Sequence, residues 1–448
     1  MLPRRQSTFG VLLLLFTAST VRSADWPQWL GSQRDGVWRE TGILDKLPKE
    51  GPKVLWKKPI DGGYSGPAVV GGRIYVMDRE SKKPKGDEAK GTLPGNERIL
   101  CLDLKTGETI WKHEYDRPYI NVNRPMGPRT TPVVDGNHVY TLGSMGDLYC
   151  VDAKTGKPVW NKFFGTDYNA KPPVWGFSAH LLVDKNLVYA LVGGEGKAIV
   201  AFDKNTGKEV WSALTSKDVG YAPPVIAEVG GVRQLIVWLS DSLAGLKPET
   251  GELYWKFTHP EKNFNPAQPA LTIITPKIVG NKVYVSSTFD GLCVVKLDAD
   301  PKKSGLDFRS KTSAKGASMM PVLMTSLIHR DGHLYGLAAE TGEVLCVKAS
   351  DGSEVWKSDD LFGGKAALFG SAFWVENGDR QWTFTDQGDL VILNLTPKGY
   401  EEISRAHVMD PVGSDRGRKV IWSHPAFAEK KMIFRNEKEI ICVSLAKD

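Results

Sequence analysis

Short apolar or alternating runs separated by Gly, Asn and Asp fill most of the chain. One stretch reads Thr131-Pro132-Val133-Val134, then Asp135-Gly136-Asn137, then His138 to Leu142, then Gly146-Asp147 before Leu148 to Val151. Alternating runs of this length predict strands, and the polar pairs between them predict hairpin turns. A phrase of the form Asp-x-x-Thr-Gly-x-x-x-Trp follows each such group. It stands at Asp103 to Trp111, Asp152 to Trp160 and Asp203 to Trp211, with weaker copies ending at Trp255 and Trp356. Asp and Thr side chains bond nearby backbone and Gly accepts positive φ, so the phrase predicts a tight turn leading into a fourth strand.

Cys101, Cys150 and Cys346 each lie ten residues before a repeat Trp, and Ala201 and Gly245 hold the same offset from Trp211 and Trp255. Further copies are expected near Val295 and Ile392, with a last at Cys442, giving eight units of about 44 to 51 residues. The last unit lacks its Trp, whereas Val54-Leu55-Trp56-Lys57 reads as a repeat-ending strand with no repeat before it. The expectation is an all-β, eight-bladed propeller of four-stranded antiparallel blades, closed by the strand near Trp56 pairing with the C-terminal blade. Residues 54–448 then form one propeller domain and residues 24–53 an extension packed on the ring. Asp78 to Arg98 and Asp298 to Ser318, rich in Lys, Gly and Pro, are expected as solvated loops.

The first 23 residues read as a secretory signal peptide: Arg4-Arg5, an apolar run from Val11 to Phe16, then Val21-Arg22-Ser23 as a cleavage site. The run is far shorter than a membrane span, and no cysteine follows it to accept a lipid. The expectation is export to the periplasm or the extracellular space, with no membrane span. Without the three arginines of that segment, 55 basic residues face 52 acidic ones. A surface so nearly balanced gives no basis for a nucleic-acid groove.

The phrase "DAKTGKPVW", preceded by "GNHVYTLGSMGDLYCV", resembles the pyrroloquinoline-quinone (PQQ) repeat, the blade of quinoprotein dehydrogenases and of BamB-type scaffolds of outer-membrane barrel assembly. The resemblance spans about residues 54 to 448 and implies the propeller fold. For an enzyme it would also imply an adjacent Cys-Cys pair over the quinone, a Ca²⁺ held by Glu and Asn, and a catalytic Asp. No two cysteines here are adjacent, and no haem-attachment Cys-x-x-Cys-His is present. For a BamB-type scaffold it would imply a lipid-accepting cysteine, which is also missing.

Four of the five cysteines share one repeat position and are expected as buried free thiols. The repeat tryptophans Trp56, Trp111, Trp160, Trp211, Trp255 and Trp356 are expected to fill the wedges between blades. Departures from the repeat are better candidates for chemistry. These are Asn121, Asn123, Arg124 and Arg129 leading into the second blade, Trp175 and His180 at the third, and Tyr64, Tyr221, Gln268 and His424 at other strand openings. If the openings face the central funnel, these side chains converge on it, and the mixture suits an anionic or sugar-like ligand. No His-Glu-x-x-His, Gly-x-Ser-x-Gly or phosphate-loop motif occurs, and no metal ligands are assigned. The sequence thus reads as an exported binding or assembly platform for a protein or glycan partner, without bound quinone. The alternatives are a PQQ- and Ca²⁺-dependent oxidoreductase of alcohols or sugars, and a glycan-binding or glycan-acting protein.

Overall fold

The computed structural model describes residues 25–82, 91–258, 271–288, 291–310 and 320–447; the expected signal peptide lies outside them. Eight four-stranded antiparallel sheets make up the fold. Blade 1 consists of Ala68–Val70, Arg73–Ser81, Gly95–Asp103 and Thr109–Asp116, and blade 2 of Val133–Asp135, His138–Leu142, Asp147–Asp152 and Pro158–Phe163. Blades 3 to 7 open at Leu182, Val225, Lys277, Ile328 and Ala372 and follow the same sequential order. Blade 8 takes Ala426–Ala428, Lys431–Arg435 and Glu439–Ser444 from the C-terminus, and Val54–Pro59 as its outermost strand. That strand pairs Trp56 with Cys442.

Burial follows from the radial arrangement. The second strand of blade 2 is buried along Val139 to Leu142 because a neighbouring blade covers each face, whereas the fourth strand of blade 1 is exposed at alternate residues. The core is therefore a set of wedges between blades. The Trp111 indole of blade 1 donates to the Ala153 carbonyl of blade 2 at 3.1 Å, Trp160 to Lys204 at 2.9 Å, and Trp211 to Pro248 at 2.9 Å. Each ring also lies against the glycine of the next Thr-Gly turn. A Cβ at Gly156 would fall 2.4 Å from Trp111, and its φ of +72° independently favours glycine. The Asp103 carboxylate accepts from the Lys105 and Thr106 amides and the Thr106 hydroxyl, and Asp152 and Asp203 do the same in their turns. The recurring phrase is thus a self-bonded turn whose glycine seats the preceding blade's tryptophan.

Cys101, Cys150 and Cys346 pair across the sheet with Trp111, Trp160 and Trp356, and all five cysteines are buried and outside disulfides. In blade 5 the register shift falls after Val294, one residue before the expected anchor, and Phe308 takes the tryptophan's place.

Among their described residues, both expected rim loops contain strand. Asp78 pairs with Arg98 and Ser81 with Gly95, extending the blade 1 hairpin, because the Arg98 guanidinium forks onto the buried Asp78 carboxylate. In Asp298 to Ser318, a short turn at Pro301–Lys303 leads into Gly305–Arg309, the fourth strand of blade 5. No helix among the described residues is long and apolar enough to cross a membrane.

The segment before the ring touches blades on several sides. Trp26 bridges Val69 of blade 1, Arg34 donates to the Leu181 and Pro224 carbonyls before blades 3 and 4, and the Trp29 indole donates to Thr275 Oγ1 before blade 5 at 2.8 Å. Trp29 also meets Phe373 of blade 7 and His424 beside blade 8. A segment that reaches all of these must cross the axis.

Candidate functional site

The connection from blade 1 to blade 2 carries four of the expected site residues, Asn121, Asn123, Arg124 and Arg129. Tyr119–Ile120 pairs with Thr92–Leu93 as a small ribbon, and Asn121 and Arg124 adopt positive φ. The buried Glu97 carboxylate anchors it by accepting from the Tyr115 hydroxyl at 2.7 Å, the Ser144 amide at 3.0 Å and the Tyr119 hydroxyl. Arg117 reaches from the loop to Asp147 at 2.8 Å and lies over the Phe163 ring.

Arg129 closes the loop on itself. Its two terminal nitrogens donate to the Gly127 carbonyl, Ser144 Oγ, the Asn123 carbonyl and the Arg124 carbonyl at 2.7–3.0 Å. All four acceptors are neutral. Burial pulls its guanidinium below the ordinary arginine value.

The loop forms one wall of a cavity of about 430 Å³. Its floor is Trp29, His180, His424 and Phe373. The imidazole of His180 lies flat against the Trp29 indole, centroids 4.3 Å apart and planes 8° from parallel, and His424 meets the same indole edge-on at 4.4 Å. The Thr131 amide donates to His180 Nδ1 at 2.9 Å, and the Thr131 hydroxyl bonds His424 Nε2. Burial drives the pKa of both imidazoles down, His424 to about 3. Two tilted aromatic pairs stand on the walls, Trp175 with Tyr221 at 5.2 Å and Tyr64 with Trp422 at 5.7 Å. Burial raises both phenols, Tyr64 to about 12. Arg124 pairs with Asp415 and lies over Trp422, while Arg416 lies over Phe369.

Seven of the ten residues singled out from sequence line this cavity: Tyr64, Arg124, Arg129, Trp175, His180, Tyr221 and His424, whereas Asn121 lies in the loop outside the lining. Asn123 stands behind the wall, where its carbonyl holds Arg129. Gln268 lies outside the described residues. Sequence reasoning missed Trp29, Trp422 and Asp415. Trp422, two residues before His424, sits at a strand opening like the others and was legible there, whereas Trp29 belongs to a segment with no repeat to depart from.

A quinone with its Ca²⁺ needs several carboxylate or amide oxygens around the ion. Among the described residues Asp415 is the one carboxylate in the lining, and Arg124 occupies it. No three His, Cys, Asp or Glu side chains among the described residues are grouped to hold a metal ion. The five cysteines sit in blade sheets, away from the lining. The described lining residues do not fit that cofactor pair.

No curated protein matches the sequence. Among solved structures, BamB from Moraxella catarrhalis superimposes with a TM-score of 0.59 at 14% identity, covering 88% of this chain and 99% of that one. Quinohemoprotein alcohol dehydrogenase from Comamonas testosteroni gives 0.61 at 13%, covering 96% and 82%. A europium-containing methanol dehydrogenase gives 0.55 at 13%, covering 94% and 89%. Identities this low show the shared propeller alone. Residues 95–358, more than half of the chain, match the family described as "Outer membrane protein assembly factor BamB", and with its eight PQQ-type blades the chain belongs to this PQQ-like propeller family.

Proposed function

We propose that the protein is an exported binding platform of the bacterial envelope or extracellular space, that the axial cavity is its ligand site, and that it works without quinone. One observation carries this reading: an aromatic-walled cavity of about 430 Å³ sits on the axis, with a volume typical of small-molecule sites and with its only lining carboxylate among the described residues already paired to Arg124. Export rests on the signal-like leader. The platform role draws on likeness to an assembly factor, and in such a role the ligand would be a small molecule or a group presented by a partner.

The probe 8-anilinonaphthalene-1-sulfonate, an apolar anion that brightens in dry pockets, tests the site. Saturable one-to-one brightening that disappears in Ser178→Trp, which fills the cavity from its wall, is the expected result. Brightening unchanged in that variant would remove the cavity as the site. The oxidoreductase alternative would need dye reduction with alcohols or sugars in the presence of PQQ and Ca²⁺.

A further inference from the structure

The cavity floor has one hydrogen-bonding atom whose role is fixed by its surroundings. An amide N–H can only donate, so the Thr131 amide at 2.9 Å requires the lone pair on His180 Nδ1, and the ring proton resides on Nε2. Trp29, stacked on the imidazole at 4.3 Å, holds the ring in that orientation. Protonating the ring would set a second N–H against the Thr131 amide. The neighbouring groups act in the same direction, since His424 stands 5.3 Å away and the Arg34 cation also disfavours a charged imidazole. His180 is therefore a neutral imidazole. Nε2–H has no partner among the described residues and belongs to a side chain that lines the cavity.

Among the described residues of the lining, the charge around this donor is net positive. Asp415 offsets Arg124. Arg129 spends its terminal N–H groups on neutral oxygens and its charge faces the Tyr64 ring, 5.2 Å away. Arg416 lies on Phe369 at 4.6 Å. The lining thus carries more cations than anions within apolar and aromatic walls, where an anion is drawn in strongly. The walls themselves are flat rings, suited to a flat ligand.

We infer that the cavity binds a small aryl monocarboxylate, its ring between the aromatic walls and its carboxylate accepting from His180 Nε2–H in the field of Arg129. His180 is then a specificity-determining residue that selects an acceptor oxygen at the floor. This rests on the reading of the cavity as the ligand site, and the experiment separates the two.

Benzoate, benzamide and benzylammonium serve as probes, each titrated by calorimetry into the full mature chain. Benzoate is expected to bind best, benzamide more weakly for lack of charge, and benzylammonium not at all. His180→Ala is expected to weaken benzoate at least about tenfold. Histidine-selective ¹⁵N NMR of the wild-type protein supplies a readout that does not depend on a variant folding: the His180 proton is expected on Nε2, with that N–H signal moving on benzoate addition. If Ser178→Trp abolishes benzoate binding while His180→Ala and the N–H signal leave it unaffected, the inference fails and the site stands. If benzoate binds equally well to Ser178→Trp, the site itself is wrong. Equal binding of benzoate and benzylammonium would also overturn the inference.

Discussion

The Trp56 indole donates to the Leu104 carbonyl at 2.9 Å, and the same ring lies against Gly107, where a Cβ would fall 2.7 Å from it. Trp56 belongs to the outer strand of blade 8 and Gly107 to the turn of blade 1, so the seam of the ring uses the same lock that joins blades 1 to 4. The expected costs differ by position. Trp56→Ala should lose about 3–5 kcal/mol. Gly107→Ala combines a clash with a φ of +71°, whereas Gly136→Ala has a φ of +57° and open space, so Gly136→Ala should cost only the backbone term of about 1–2 kcal/mol. Urea unfolding of the three variants checks the order Trp56 and Gly107 above Gly136.

Asp147 gives the protein a predictable response to pH. Burial first, and the charge of Glu97 second, push its carboxyl from 3.8 up to about 7, while one of its oxygens is buried without a hydrogen-bond partner. The native state therefore keeps a proton there that the unfolded chain releases near pH 4. Native stability from this group is fully present below about pH 4 and declines as pH rises through about 7. Asp147→Asn keeps an acceptor for Arg117 and removes the titration. Between about pH 4.5 and 8 its stability should fall less than that of the parent, by on the order of 1–3 kcal/mol. Parallel slopes for the two proteins in urea titrations across that range would refute the assignment.

Arg124 and Asp415 form the ion pair at the cavity wall, with Asp415 only 6% exposed. Arg124→Ala leaves that carboxylate buried and unpaired and should cost about 1–3 kcal/mol. The double variant with Asp415→Ala should recover part of the loss. A double-mutant cycle measures the coupling, and strict additivity would show that the pair does no more than share a surface.

The ring was legible because its locks are local. The Asp, Thr, Gly and Trp of each copy fall within nine residues, and the cysteine ruler marks the strand opposite each tryptophan. Blade 5 escaped the ruler by one residue because Phe308 replaces the tryptophan. The Asp78 to Arg98 hairpin was hidden because its strands are held by charged and phenolic partners, Arg98 on Asp78 and Tyr115 on Glu97, which leave no alternating apolar pattern to read. Much of the cavity lining was accessible as departures from a symmetric repeat. Trp29 on its floor was not, since its bond to Thr275 spans 246 residues and only the folded ring brings the two together.

The most direct test of the platform account is a calorimetric titration of PQQ with Ca²⁺ into the purified mature protein, followed by a dye-coupled dehydrogenase assay on alcohols and sugars. The account predicts no Ca²⁺-dependent uptake and no dye reduction. Saturable Ca²⁺-dependent binding with turnover would contradict it and make the cavity residues those of an oxidoreductase.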